Sequence, residues 1–351
     1  MSEEKTVAVV TLGGTIACTW DHYLGAVPST DRGHMVSVLR EASRASTGLP
    51  KVHLVQTAPV ASADVDTAFL TSIVAESLDR LVRGGMSGAV VTTGTDTLEE
   101  VAFVLDLLWR HPEPLVVTGA MRHDGLPGAD GAANLRDALR VAADGQARGL
   151  GCLVVLDGNV HQAWQVRKGH TSSLAAFESS ASGPVGSVFE DTVRITSSTV
   201  IDRPLFALSP AVVAPPVALI TASLADDGRL LGAVADLGYR ALVVETMGGG
   251  SVPPSWSPLL ERLTAVMPVV YSSRAGRGPT LRCTYGGPGG ERDLRRMGML
   301  PAGLLDGLKA RLLLGLLLGA GVERSAIEHA WRLFDVPRTG AGRYELNSLR
   351  R

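Results

Sequence analysis

The fold of this chain is decided by residues 88–108, which read GAVVTTGTDTLEEVAFVLDLL. The run opens with small and β-branched residues, which is typical of a strand buried on both faces of a parallel sheet. A hydroxyl-rich turn follows, and acidic residues then suit the positive end of a helix. Because the strand's carboxyl end meets the free N–H groups of the helix at this turn, Thr95 and Asp96 are candidates for binding one small substrate. The alternative is that Thr95 and Thr97 only cap the helix.

A second turn of the same kind stands near the N-terminus. Thr6–Thr11 is predicted to be a strand, and LGGTIA follows it at residues 12–17. Paired glycines let the backbone bend sharply and approach a ligand closely, so this turn would present the Thr15 hydroxyl at the end of the strand. Two threonine-bearing turns on one sheet predict a functional site.

Strand, turn and helix alternate along most of the chain. Strands are predicted at residues 52–55, 114–118 and 152–156, and helices at 67–82 and 133–143. Alternation of this kind predicts a mostly parallel sheet that helices cover on both faces.

A proline-rich stretch separates two such regions. Residues 196–216 contain four prolines and are loop-like, and a second set of strands and helices follows them. The sequence therefore predicts an α/β protein in which a large N-terminal α/β domain with a mostly parallel sheet precedes a smaller C-terminal α/β domain. We place the N-terminal domain at residues 1–200, the linker at 201–215 and the C-terminal domain at 216–351.

Composition and charge argue against several classes of protein. The net charge of −2 and the absence of long runs of like charge argue against a nucleic-acid partner. Three widely spaced cysteines argue against a disulfide framework or a zinc site. No segment reaches the ~20 apolar residues of a membrane span, and the first residues lack the pattern of a secretory signal. We therefore expect a cytoplasmic protein with a small neutral or zwitterionic substrate and no metal.

The two threonine turns resemble motifs of the bacterial-type L-asparaginase and glutaminase family. One family motif, Thr-Gly-Gly-Thr-Ile-Ala-like, stands here as TLGGTIA with Leu12 inserted before the glycines, and the other stands as TGTDT. Further segments that look like the family follow in its order: GAMR at 119–122, NLRDA at 134–138, KGHT at 168–171, PVVYSSR at 268–274 and KAR at 309–311. The resemblance covers nearly the whole chain. It implies an amidohydrolase, most simply an L-asparaginase, that acts on a small carboxamide without an organic cofactor or a metal.

The resemblance also implies catalytic roles. Thr15 would attack the amide carbonyl and form an acyl-enzyme, with Tyr23 as the proton acceptor. Tyr23 stands within residues 17–30, which show no clear period and are expected to form a flexible loop able to fold over a site. Thr95, Asp96 and Lys168 would form a second cluster, in which Lys168 is a buried amine bonded to Thr95.

Substrate contacts and assembly follow from the same resemblance. Ser62 would bind the α-carboxylate of the substrate, Asp96 its ammonium group, and the Ala120 backbone would accept from the amide nitrogen. Two positions depart from the family's pattern, because Ala63 replaces a Gln or Glu and Ser251 replaces an Asn. The family forms homotetramers of close dimers, so a homo-oligomer is expected.

Several alternatives stay open at this point. Lys168 could be a solvated surface group, and Tyr23 an ordinary half-buried anchor. Cys18 is interpreted as a packing residue, and His161 and His170 as structural. The chain could also be an amidase of the same family that acts on a different carboxamide in a biosynthetic pathway, or a relative that binds amino acids without turnover.

Overall fold

The structure, a computed structural model, describes most of the chain. The described residues are 5–29, 31–44, 46–57, 60–179, 182–197, 204–205, 213–332, 334 and 344–345. The chain divides into two compact units, Met1–Ser198 and Thr199–Arg351. The predicted linker at 201–215 lies largely outside the described residues, and the predicted domain boundaries stay a prediction.

A large sheet forms the centre of the first unit. The described strands of this unit are β1 (Thr6–Thr11), β2 (Cys18–Asp21), β3 (Gly25–Pro28), β4 (Lys51–Gln56), β5 (Gly88–Thr92), β6 (Leu115–Thr118), β7 (Cys152–Leu156), β8 (Asn159–Gln162), β9 (Val166–Lys168), β10 (Phe177–Ser179), β11 (Gly186–Phe189) and β12 (Thr192–Ile195). Eight of them form one sheet in the order β12-β11-β8-β7-β6-β5-β1-β4. The strands β4, β1, β5, β6 and β7 run parallel, whereas β8, β11 and β12 add an antiparallel edge.

Helices cover the sheet on both faces. They are α1 (Arg32–Ser43), α2 (Thr67–Phe69), α3 (Ala75–Arg83), α4 (Leu98–Leu108) and α5 (Gly131–Ala143). Helix α1 packs against α5, and α4 packs on β6 and β7. The central strands have continuous apolar sequences because they are buried on both faces, as the full burial of Val7–Val10 in β1 illustrates.

The helix predicted at residues 67–82 has an irregular middle. A π-helical segment, Leu70–Val74, joins α2 to α3. The apolar spacing indicated a helix there but not this wider turn.

The second unit contains a smaller parallel sheet. Its described strands are β13 (Pro204–Leu205), β14 (Val217–Thr221), β15 (Ala241–Thr246), β16 (Val269–Ser273), β17 (Leu300–Pro301) and β18 (Tyr344–Glu345), and its helices are α6 (Arg229–Ala233), α7 (Ser257–Val266), α8 (Glu291–Arg296), α9 (Gly307–Gly319) and α10 (Arg324–Arg332). The strands β14, β15, β16 and β17 lie side by side in that order and are all parallel. The predicted fold class, a large and a smaller α/β domain, is confirmed.

Helix α9 is the apolar helix that the sequence placed in the core of the second unit. It is apolar on nearly every side because it is buried on nearly every side. Within the described ranges, no helix combines the length and the apolar character that crossing a bilayer requires.

The segment after Thr15 that was expected to be a flexible loop forms a β-hairpin over residues 18–28, so the prediction of a loop was wrong, whereas its ability to fold over a site stays a prediction. Strands β2 and β3 pair in an antiparallel register from Cys18–Pro28 to Asp21–Gly25. The Asp21 carboxylate caps the turn by accepting from the backbone N–H groups of Tyr23 and Leu24, both at 2.8 Å. An aspartate that bonds the backbone two residues later is a local turn signal, which the missing periodicity concealed.

Candidate active site

The candidate site lies where the order of the strands in the large sheet reverses. From β1, the next strand of this sheet along the chain is β4, which lies on one side of β1. From β5, which lies on the other side of β1, the next strand is β6, which lies farther from β1. Connections that leave two adjacent parallel strands toward opposite sides open a crevice at their carboxyl ends, where ligands bind in open α/β sheets. The pairing of β1 with β5 continues past both strands, since Leu12 N donates to Thr92 O at 2.9 Å. The two threonine turns therefore leave the sheet side by side.

Two glycines bring these turns into direct contact. Gly14 has φ 80° and ψ 179°, a conformation that is essentially restricted to glycine. A Cβ at Gly14 would lie 2.2 Å from Gly94 N, which no side chain could tolerate. Thr15, half-buried, follows Gly14 directly, and Thr95 follows Gly94. The predicted meeting of the two turns is thus present in the structure.

Ser62 belongs to the same crevice. A Cβ at Gly94 would lie 2.6 Å from the Ser62 Cβ and 2.7 Å from its Oγ, so the Ser62 side chain packs against the second threonine turn. The Thr97 hydroxyl holds this arrangement by donating to Ser62 O at 2.8 Å. Thr97 is the N-cap residue of α4 and makes no side-chain capping bond. The capping alternative is therefore wrong for Thr97, whose hydroxyl binds a neighbouring segment instead.

Lys168 points into the crevice. Its Nζ donates to Thr95 Oγ1 at 3.0 Å and to Asp96 Oδ1 at 2.7 Å. The Lys168 side chain is 16% exposed, whereas that of Asp96 is 80% exposed. The surface alternative for Lys168 is wrong, because its ammonium group is directed at a hydroxyl on a buried threonine. Asp96 presents a negative charge to the open side, where a substrate ammonium group could reach it.

The backbone of Lys168 is held as well. Its N–H donates to Glu99 Oε2 at 2.9 Å, and Glu99 is only 7% exposed. Sequence reasoning assigned Glu99 to the positive end of helix α4 and missed this contact. No sequence signal could have found it, because the two residues are 69 positions apart and meet only in the folded chain.

The segment around Ala120 forms another wall. Gly119 packs close to Thr95, since a Cβ at Gly119 would lie 3.4 Å from the Thr95 Cγ2 atom. Asn134 Nδ2 donates to Gly119 O at 3.0 Å, and Asp130 accepts from Met121 N at 3.0 Å. Both backbone neighbours of Ala120 are therefore fixed. The family-like segments that contain Ala120 and Asn134 are thus linked by hydrogen bonds beside the threonine turns.

Tyr23 is the one predicted site residue that the structure does not bring to the crevice. It lies at the tip of the β2–β3 hairpin, is 93% exposed, and packs edge-on against His22 at 5.4 Å between ring centroids. The hairpin itself is anchored beside the Ala120 segment, because Trp20 stacks on His123 with the ring centroids 4.5 Å apart. The catalytic role of Tyr23 stays a prediction.

Cys18 and His161 serve structural purposes in this arrangement. Burial, together with the charge of Asp124, raises the pKa of the Cys18 thiol, and the Cys18 Sγ donates to Gly14 O at 3.2 Å. Burial lowers the pKa of His161 to about 4, so the ring is neutral at physiological pH. A hydrogen bond of 2.8 Å joins His161 Nδ1 to Ser179 Oγ on β10. Neither residue has the exposure and pKa expected of a nucleophile or base at neutral pH.

The chemistry available is that of hydroxyls, a lysine and a carboxylate. Within the part of the chain that the structure describes, no group of three His, Cys, Asp or Glu side chains is arranged to hold a metal ion. Thr15 and Thr95 supply hydroxyls, and Lys168 can hold or move a proton at Thr95 Oγ1. The arrangement suits nucleophilic attack on a small polar substrate.

Comparison with known families accounts for this arrangement. The family model described as asparaginase, N-terminal, matches residues 6–201, and that described as glutaminase/asparaginase C-terminal domain matches residues 216–331. The chain belongs to the asparaginase family. The predictions of family and of an asparaginase-type amidohydrolase are thereby confirmed.

Individual relatives agree with the family models. An L-asparaginase of Bacillus licheniformis is 30% identical over 334 residues, covering 91% of this chain and 97% of the relative. A glutamyl-tRNA(Gln) amidotransferase subunit of Methanosarcina barkeri is 31% identical over 327 residues, covering 86% and 70%. Among solved structures, a probable cytoplasmic L-asparaginase from Campylobacter jejuni superposes with a TM-score of 0.81 at 26% identity, covering 93% of this chain and 99% of the neighbour.

Proposed function

We propose that this protein hydrolyses L-asparagine to L-aspartate and ammonia through an acyl-enzyme on Thr15. The observation that carries the proposal is the contact between Lys168 Nζ and Thr95 Oγ1 in a turn that touches the Thr15 turn. A lysine directed at a buried threonine hydroxyl has no evident packing purpose, but it can determine whether a catalytic hydroxyl gives or takes a proton.

The reaction has two halves. The Thr15 hydroxyl oxygen attacks the side-chain carboxamide carbon and gives up its proton, and the C–N bond then breaks to release ammonia. Water attacks the resulting ester, so that the acid leaves and the Thr15 hydroxyl is restored. Backbone N–H groups at the two turns would stabilise the negative oxygen in both halves, an effect that is often the largest single term in acyl transfer.

The remaining residues divide between proton transfer and binding. Thr95, held by Lys168, would orient the attacking water and the leaving nitrogen. Asp96 would pair with the substrate ammonium group, Ser62 would bind the α-carboxylate, and the Ala120 carbonyl would accept from the amide nitrogen. These partners are those that a zwitterionic amino acid requires.

Tyr23 is proposed as the proton acceptor for Thr15, and this role requires movement. The hairpin that carries it would have to close over the crevice when substrate binds, as lids commonly do to exclude water from a reaction. Its strong exposure in the structure fits an open state of such a hairpin.

Ala63 favours a second candidate function, an amidase that acts on a different small carboxamide. Ala63 is exposed, and it offers no polar side chain at the position where the family resemblance implies a Gln or Glu that helps to hold the substrate's α-ammonium group. Losing one charge-assisted contact costs about 1.5–3 kcal/mol, or roughly one to two orders of magnitude in affinity. A substrate without an α-ammonium group would not suffer that loss.

The test is ammonia release from a panel of carboxamides by the wild type, Thr15→Ala and the control Thr192→Ala, which alters an exposed threonine on β12. We expect asparagine to be hydrolysed, Thr15→Ala to lose turnover while staying folded, and Thr192→Ala to match the wild type. Turnover of another carboxamide alone would favour the second candidate. An active Thr15→Ala variant would refute the acyl-enzyme, and calorimetric binding of asparagine without any product would identify a non-catalytic binding protein.

A further inference from the structure

Lys168 lies on a strand that does not belong to the large sheet. It ends the three-residue strand β9, which pairs with β10 in a separate two-stranded sheet. The Lys168–Phe177 pair sets its register within that hairpin. The hydrogen bonds of the large sheet therefore do not fix the position of Lys168 relative to the end of β5. Its Nζ must nevertheless reach a single hydroxyl, Thr95 Oγ1, in the turn after β5.

One turn of the chain forms hydrogen bonds with both the backbone and the side chain of Lys168. The residues 95–99 leave β5 and begin α4, and they supply Thr95 and Asp96 to the ammonium group and Glu99 to the backbone N–H. A bond from an N–H to a carboxylate is shorter and about twice as strong as one to a neutral acceptor. The Glu99 contact therefore fixes the main chain of Lys168 relative to the same turn that its side chain serves.

We propose that Glu99 is a positioning residue, which sets the Lys168 Nζ to Thr95 Oγ1 distance through the Lys168 backbone. The inference deepens the proposed function and rests on it. Catalytic groups need placement within roughly 0.5 Å, and a misplacement of about 1 Å can cost about 100-fold in rate. A carboxylate that ties down the main chain two bonds from the Lys168 Cβ supplies that placement.

The simpler explanation, that Glu99 only stabilises the N-terminus of α4, does not account for its burial. Glu100 lies in the same first turn of α4, and its negative charge can interact equally well with the positive end of the helix dipole. Glu99 instead keeps a carboxyl group that is only 7% exposed, and burying such a polar group is costly unless it has specific hydrogen-bond partners. The Lys168 N–H is such a partner, and it links helix α4 to the hairpin of β9 and β10.

The experiment compares Glu99→Leu, which removes the acceptor, with Glu99→Gln, which keeps an acceptor oxygen in a side chain of the same length. Glu100→Gln is the matched control for loss of charge in the same helical turn. For asparagine hydrolysis we expect Glu99→Leu to lower kcat by about 10- to 100-fold with a much smaller change in KM. Glu99→Gln should stay within about threefold of the wild type, since its amide oxygen still accepts, and so should Glu100→Gln.

A second measurement does not depend on turnover. The chain contains four lysines, Lys5, Lys51, Lys168 and Lys309, so the acylation of each can be followed by mass spectrometry after brief treatment with acetic anhydride. Exposed Lys51 serves as the internal reference. We expect Lys168 to be acylated slowly in the wild type, in Glu99→Gln and in Glu100→Gln, and faster in Glu99→Leu.

The outcomes separate this inference from the proposed function. If the wild type releases no ammonia from any carboxamide, the proposed function fails, while faster acylation of Lys168 in Glu99→Leu still supports the positioning contact. A folded Glu99→Leu variant with wild-type kcat and wild-type acylation of Lys168 would overturn the inference. Equal losses of kcat in Glu99→Gln and Glu100→Gln would overturn it too, because charge at the helix end would then explain the effect.

Discussion

We predict that replacing Lys168 by Met removes most of the activity but lowers the stability of the fold only slightly. Methionine retains most of the aliphatic stem but lacks the ammonium group, so Thr95 Oγ1 and Asp96 Oδ1 each lose a donor. The Asp96 side chain is 80% exposed, and a pair of this kind contributes about 0–1 kcal/mol. Thr95 is 7% exposed, and leaving its hydroxyl without the donor costs about 1–3 kcal/mol.

The loss in activity should exceed that loss in stability. A positioned group that transfers or holds a proton contributes about 100- to 10,000-fold to a rate. At about 1.4 kcal/mol per factor of ten, this corresponds to roughly 3–5 kcal/mol of transition-state stabilisation. The unfolding free energy of ordinary domains is about 5–15 kcal/mol, so the Lys168→Met variant should remain folded and nearly inactive.

The assay is steady-state ammonia release together with urea unfolding, for Lys168→Met and for Lys51→Met. Lys51 is an exposed lysine at the start of β4, the end of the strand opposite to the crevice, and its replacement should leave kcat unchanged. Under the proposed function Thr95 and Lys168 act as a unit, so adding Thr95→Val to Lys168→Met should lower kcat only slightly further. A folded Lys168→Met variant with kcat within about threefold of the wild type would refute the catalytic role of the lysine.

Two further predictions concern stability. The pKa of His161 is lowered to about 4 by burial, so below pH 6.5 the unfolded chain binds a proton that the folded chain does not. Stability should therefore decrease as the pH falls from 6.5 toward 4, by about 1.6 kcal/mol between pH 6.5 and 5. Unfolding of His161→Gln should show a shallower pH dependence, and identical slopes would contradict this. Gly14→Ala should destabilise the protein far more than Gly149→Ala, because both glycines have positive φ but a Cβ clashes with backbone at Gly14 and meets nothing within 4 Å at Gly149. The strained backbone alone costs about 1–3 kcal/mol at such a position, and equal losses in the two variants by chemical unfolding would show that the contact between the turns is unimportant.

Much of the fold was predictable because its local signals agree. Apolar β-branched runs mark β1 and β5, and hydroxyl- and glycine-rich turns mark their carboxyl ends. The antiparallel edge and the β2–β3 hairpin were not predicted, since short strands in residues 18–28 and 159–195 carry little periodicity. Thr15, Thr95 and Asp96 were predicted from the turns that follow two strands, whereas Lys168 was predicted only through the order of the family-like motifs.

The sequence by itself determined which segments become buried parallel strands, that a threonine follows two of them, and the family to which the chain belongs. Periodicity and turn chemistry are local, so they can be recognised without knowing which strands pair. Only the tertiary structure decided that β1 pairs with β5, that Gly14 touches Gly94, and that Glu99 holds the backbone of Lys168. Those contacts join positions far apart in the chain, and they depend on strand order and on distances of a few ångströms, neither of which is encoded in any local pattern.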